Sequence, residues 1–193
     1  MNPLRRIQYN APVTLTFALL SAFALFLAHQ TDGASNNLLF MVYRASFTNP
    51  LTYMRLFTHS LGHANTAHYL NNFIIVLLVG PMLEEKYGTK WLVIMMVVTA
   101  FITGILWVVM MPYPYAKLGA SGIVFMLILL SSFTNMQKGR IPLTLILAVV
   151  VFLGREVMSA TGVDAYTSDN IAHMSHIVGG ICGALFGFIV NKR

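Results

Sequence analysis

The sequence predicts an all-α membrane protein: a single domain over residues 1–193, built as a six-transmembrane-helix bundle with an interfacial first loop. Three observations predict it. Hydrophobic residues make up 57% of the chain and charged ones only 9%, against roughly 25% charged in soluble domains. Six apolar runs of near-spanning length are joined by short polar turns, and a bilayer is the solvent in which such a composition is stable. Lys and Arg also collect on alternate turns. Arg5, Arg6, Lys86, Lys90, Lys138, Arg140, Lys192 and Arg193 fall on one side, and Arg44, Arg55, Lys117 and Arg155 on the other. Eight against four puts both termini on the cytoplasmic side.

Taken in order, the expected spans are 11–30, 65–83, 91–111, 119–135, 141–154 and 171–190. Between the first two, residues 31–62 are apolar but broken by Asp32, Asn36, Asn37, Arg44, Asn49, Pro50 and Arg55. That stretch cannot span and is expected to lie at the membrane interface. The turn from Glu84 to Lys90 separates spans two and three. Pro112 and Pro114 interrupt the chain before span four. The net charge of +6 would suggest nucleic acid in a soluble protein. Here the charges sit at the ends of apolar runs, so the lipid bilayer is the expected partner and nucleic acid is not. The single cysteine, Cys182, excludes an internal disulfide.

Polar groups inside spans are costly and usually functional. His68 and Asn72, four residues apart, share one face of span two. Span four opens with Gly119-Ala120-Ser121-Gly122, and span six carries His173, Ser175 and His176 near its start. With alternating spans these residues share one depth, toward the outer face. A serine, an imidazole and hydrogen-bond donors are the parts of acyl transfer: nucleophile, general base and oxyanion stabiliser. Each part also has a plainer use. Small residues let transmembrane helices pack closely, and a lone histidine often bonds a neighbouring carbonyl. His59, His63, His68, His173 and His176 also offer nitrogens to a metal. No His-Glu-x-x-His is present, however, and no carboxylate lies near them within a span, so neither a metal nor any other cofactor is expected.

Taken together, these motifs resemble those of the rhomboid intramembrane serine proteases. Arg55, His59 and His63 followed by His68 and Asn72 resemble the family's second-helix signature, His-x4-His-x3-Asn. Glu84 with Gly88 resembles its Glu-x3-Gly, Gly119 to Gly122 its Gly-x-Ser-Gly, and His176, Gly179 and Gly183 its His-x3-Gly-x3-Gly. The resemblance implies a Ser121–His176 catalytic dyad and no cofactor. It implies an oxyanion hole of His68, Asn72 and the Ser121 backbone N–H, and substrates that are single-span or multi-span membrane proteins cut near the outer face. A bacterial inner (plasma) membrane location goes with it. Gly119, Gly122, Gly179 and Gly183 are expected to bring spans four and six together, with Phe125, Glu84 and Arg55 in support. Departures from the family pattern are Met54 before Arg55, Phe125 where Tyr is common, Ser175 before His176, and the extra His173. The alternative class is a catalytically inactive rhomboid-like factor that binds or escorts membrane proteins.

Overall fold

The computed structural model describes residues 8–134, 140–160 and 172–191. Asp164 and Asp169, the acids nearest span six in sequence, lie outside them, as does the side chain of His173. Seven α-helices are described: α1 (Pro12–Gln30), α2 (Pro50–Thr58), α3 (Thr66–Tyr87), α4 (Thr89–Met110), α5 (Ser121–Ser131), α6 (Leu143–Ala160) and α7 (Ala172–Asn191). Among the described residues, α1, α3 and α4 are each long and apolar enough to cross a membrane. The chain is therefore a helical membrane protein.

Local chemistry sets the helix starts. Pro12 opens α1, where a missing N–H costs nothing. Asn49 caps α2 by accepting the Leu51 N–H at 2.9 Å, and Asn65 caps α3 by accepting the His68 N–H at 2.8 Å. Gly88, with φ +83°, ends α3 and turns the chain directly into α4.

Four expectations need correction. The second and fifth runs, expected over 65–83 and 141–154, are helical over Thr66–Tyr87 and Leu143–Ala160, because charged side chains near a helix end do not stop it and Gly88, not Glu84, ends α3. The fourth run, expected over 119–135, is helical only over Ser121–Ser131. Eleven residues rise about 16 Å, roughly half the apolar thickness of a bilayer. The reason lies in Gly119 and Ala120: Gly119 sits at φ +124°, outside helical space, and the apolar character of the lead-in conceals this. The interfacial stretch is also more structured than a loop. It holds a π-turn (Asn36–Phe40), helix α2, and a two-residue strand β1 (Val42–Tyr43). That strand pairs antiparallel with β2 (Ala116–Lys117), so Val42 faces Lys117.

Helix α5 is the axis of the core. Ile123, Val124, Met126, Leu127 and Leu130 are buried among Phe73, Leu83, Leu92, Met95 and Cys182 from α3, α4 and α7, and Leu129 is buried with Phe133 and Leu145. Outward faces are also apolar: Leu19, Phe23 and Phe26 on α1, and Leu78 on α3, are more than half exposed. Such a surface requires lipid rather than water around it. Two buried threonines of α4 are satisfied locally. Thr99 and Thr103 bond the carbonyls of Met95 and Thr99, one turn back, at 2.7 and 2.8 Å.

Candidate active site

Ser121 is the first residue of α5, preceded by Ala120 at the N-cap. Its backbone N–H and those of the next residues are the unsatisfied donors of a helix start. The segment leading to it is irregular and buried, so its own N–H groups need partners. Both are provided by the chain between α2 and α3. The Gly119 N–H donates to the His59 carbonyl at 2.8 Å, and the Ala120 N–H donates to His63 Nε2 at 3.4 Å.

These bonds define the histidines. His63 Nε2 accepts, so its proton is on Nδ1, which donates to the Leu61 carbonyl at 3.1 Å. Burial, with His68 adding, holds the His63 imidazole down at about 4, so it is neutral at pH 7 and free to accept. His59 Nε2 lies 3.1 Å from the Ala100 carbonyl, and burial with the nearby Lys117 charge holds its pKa well below the usual histidine value. Sequence reasoning recognised both histidines as signature positions and as nitrogens open to a metal, not as partners of the segment before Ser121. Their bonds to the segment before Ser121 depend on tertiary contact, and the only trace in sequence is their spacing.

His68 sits in the first turn of α3 with its ring against Gly119. A β-carbon on Gly119 would fall 2.8 Å from both Cε1 and Nε2. The His63 ring braces it edge-on at 5.0 Å. Asn72, one turn further along, is buried, and one of its amide protons goes to the His68 carbonyl at 3.0 Å. The second amide proton is the one available for another acceptor.

Helix α7 reaches the same level from the other side. A β-carbon on Gly179 would lie 2.0 Å from the Gly122 carbonyl oxygen, and one on Gly183 would lie 2.3 Å from that of Met126. A β-carbon on Gly122 would meet the Ser175 carbonyl at 3.3 Å. The two helices therefore touch backbone to backbone, and Ser121 and His176 each neighbour a residue of that contact. The His176 ring lies 4.3 Å from the ring of Phe125. Phe125 is one turn from Ser121 and so on the same face of α5.

Arg55 and Glu84 act away from this cluster. The Arg55 Nε donates to the Leu38 carbonyl at 2.9 Å, a terminal nitrogen reaches the Asn37 carbonyl at 3.4 Å, and the guanidinium lies 4.6 Å from the centre of the Tyr43 ring. It fastens the first loop onto α2. Glu84, near the far end of α3, accepts from the Val13 and Thr14 N–H groups at 2.9 and 3.0 Å, and from the hydroxyls of Thr14 and Thr89. One carboxylate thus caps α1 and ties three helices. Among the described residues no group of three His, Cys, Asp or Glu side chains is arranged to hold a metal ion.

Comparison with known proteins agrees with the motifs. A curated relative, Rhomboid-like protein 11, chloroplastic, from Arabidopsis thaliana, is 24% identical over 144 residues. The match covers 70% of this chain and 51% of the relative, so the chain spans about half of that protein's length. The Rhomboid domain family profile matches residues 50–193, from the start of α2 through the last helix, which takes in every motif described above. The chain belongs to the rhomboid family.

Proposed function

We propose that the protein is an intramembrane serine endopeptidase working through a Ser121–His176 dyad. The observation that carries this reading is the backbone contact of α5 with α7 at Gly122 and Gly179. It holds the two helix starts that bear the serine and the histidine against each other, with His176 packed on Phe125. His176 takes the Ser121 hydroxyl proton as the oxygen attacks a peptide carbonyl, then passes that proton to the leaving amine. Water, activated by the same imidazole, hydrolyses the acyl-enzyme. The oxyanion that forms in each step is met by the Ser121 N–H, His68 and the second amide proton of Asn72. His68 is suited to this by its place against Gly119, two residues from the nucleophile.

The substrates are membrane-spanning proteins, single-span or multi-span, cut toward the outer face. The remaining helices complete a six-span bundle with both termini cytoplasmic, in a bacterial plasma membrane. The decisive experiment is cleavage of a single-span reporter in proteoliposomes by the wild type and by Ser121→Ala, with a fluorophosphonate probe in parallel. Cleavage and labelling lost in Ser121→Ala are expected. A wild type that is folded, binds membrane proteins and takes no probe is instead an inactive rhomboid-like binding factor.

A further inference from the structure

Between α1 and α4 lies a cavity of about 450 Å³ that the mechanism above does not use. Helix α1 lines it from Pro12 to Leu20, and α4 from Val93 to Ala100. The two helices start at the same end, because Glu84 accepts from the first N–H groups of α1 and from the Thr89 hydroxyl of α4. From that end the cleft rises about 12 Å along α1. The segment leaving α2 closes it there through Phe57, Thr58, Ser60 and Leu61. That segment is fixed at the far end of the α4 wall, where Phe57 stacks on Phe101 at 5.6 Å and His59 Nε2 lies 3.1 Å from the Ala100 carbonyl. Buried Met96, Ala100 and Ile123 form the back of the cleft, and half-exposed Leu20, Val93 and Val97 form its open side.

The lining asks for hydrocarbon. Its three hydroxyls are already bonded: Thr16 with the Tyr9 hydroxyl at 2.9 Å, Thr58 to the Leu39 carbonyl, and Ser60 to the Phe57 carbonyl at 2.8 Å. The other lining side chains are apolar. Water there would find no partner, and an empty cleft would forfeit the contacts of its walls. The open side continues into the lipid-facing surface of α1, where Leu19 and Phe23 are more than half exposed. Height then selects the occupant. A spanning helix needs about 30 Å, and the segment leaving α2 stops anything in the cleft after about 12 Å. The hydrocarbon of one leaflet is about 15 Å deep, half the apolar thickness of a bilayer, so the cleft matches the chain of a single lipid and not a helix.

We propose that this cleft is a lipid site, holding one acyl chain of a phospholipid from the leaflet at the Glu84 end. The headgroup lies toward the starts of α1 and α4, and the chain end packs beneath Thr58, Ser60 and Ile123. The inference goes beyond the protease reading and does not depend on it. Its place in the fold is specific. Thr58 and Ser60 flank His59, whose carbonyl accepts from the Gly119 N–H at 2.8 Å, and Ile123 stands two residues after Ser121. The chain end therefore underlies both the segment before Ser121 and the first turn of α5.

The test uses the full chain in phosphatidylcholine liposomes containing a trace of the same lipid with a photoreactive diazirine near the end of one acyl chain. Illumination followed by peptide mapping locates the label. Label on Met96 and Ile123 is expected, beside surface label on Leu19, Phe23 and Leu78. Ala100→Leu and Val97→Trp add bulk to the α4 wall, and Val97 is exposed enough for its variant to fold. Both variants are expected to lose the label on Met96 and Ile123 several-fold and to keep that on Leu78. Label confined to Leu19, Phe23 and Leu78 in the wild type overturns the site, since that is the pattern left when a second copy or another segment of this chain fills the cleft. Undiminished label on Met96 and Ile123 in both variants overturns it as well. None of these readouts uses cleavage, so a wild type that fails to cleave or to take the fluorophosphonate probe overturns the protease reading alone.

Discussion

Replacing Gly179 by valine tests the geometry that brings the two helices together. The β-carbon alone would lie 2.0 Å from the Gly122 carbonyl oxygen, 2.8 Å from its carbon and 3.0 Å from its α-carbon. All three are backbone atoms, so no side chain can rotate away. An ordinary contact is about 3.5 Å, which requires α5 and α7 to part by about 1.5 Å at this point. Ser121 precedes Gly122, and His176 lies three residues before Gly179, so the separation is transmitted to both. Misplacement of reacting groups by ~1 Å can cost ~10²-fold in rate. Gly179→Val, with γ-methyl groups added to the same clash, is expected to abolish detectable cleavage, and Gly179→Ala to lose at least ~10²-fold in kcat/KM. Reporter cleavage in proteoliposomes measures the rate, and thermal unfolding of the same preparation shows how much protein is folded. Gly187→Ala is the comparison: its β-carbon would lie 2.4 Å from the buried Phe133 ring, away from Ser121. It should destabilise the lower half of the contact while turnover per folded molecule stays near wild type. A Gly179→Val protein that cleaves at the wild-type rate would refute the proposed approach of Ser121 to His176.

Ser121→Ala and His176→Ala should each abolish reporter cleavage with Tm unchanged, because neither side chain is part of the packed core; near wild-type cleavage in either would contradict the dyad. His68→Ala and Asn72→Ala should lower kcat by ~10²–10³-fold, the loss seen for a single oxyanion donor, with little change in KM; steady-state kinetics separate the two. Glu84→Gln places an amide where the carboxylate accepts two α1 N–H groups, so it should cost about 2–3 kcal/mol of stability, read by thermal unfolding, without changing kcat per folded molecule. The folded pKa of His63 is lowered to about 4 from 6.5. Between those values the unfolded chain takes up a proton that the folded chain refuses. Stability should therefore be flat above pH 6.5 and fall as pH drops toward 4, by up to about 3 kcal/mol from this residue. Unfolding measured from pH 7.5 to 4.5 checks it, and His63→Gln should flatten part of that slope.

The long apolar runs were legible because lipid leaves a plain record in composition. The expected first and third spans, 11–30 and 91–111, differ from α1 and α4 by at most two residues at either end. Span four was misjudged because Gly119 and Ala120 are as small and apolar as helix-packing residues, and only the positive φ of Gly119 distinguishes a loop from a helix. Helix α2 was obscured by Asn49, Pro50 and Arg55, read as interruptions although Asn49 and Pro50 are a helix start. The candidate site divides in the same way. Ser121, His176, His68 and Asn72 stand at recognisable spacings. The part played by His63 comes from a contact between segments more than fifty residues apart, which no local pattern records.

The two charged residues of the signature, Arg55 and Glu84, show how this chain buries charge. Both are at most 5% exposed, and isolated charges at such sites would be costly. They do not neutralise each other. Glu84 is satisfied by the free N–H groups at the start of α1, where the partial positive charge of a helix end gathers. Arg55 is satisfied by the carbonyls of Asn37 and Leu38 in the π-turn. In each case the partner is a backbone group left open by a helix end or an irregular segment. Such groups would themselves be intolerable in an apolar interior without a partner. The charges and the irregular backbone therefore make each other possible. That reciprocity permits a first loop and an interrupted fourth run inside a protein whose surface is hydrocarbon. The loop segment before Ser121 follows the same rule, with His59 and His63 meeting the N–H groups of Gly119 and Ala120. The start of the short helix α5 is consequently held by bonded backbone on its loop side and by glycine contacts on its helix side.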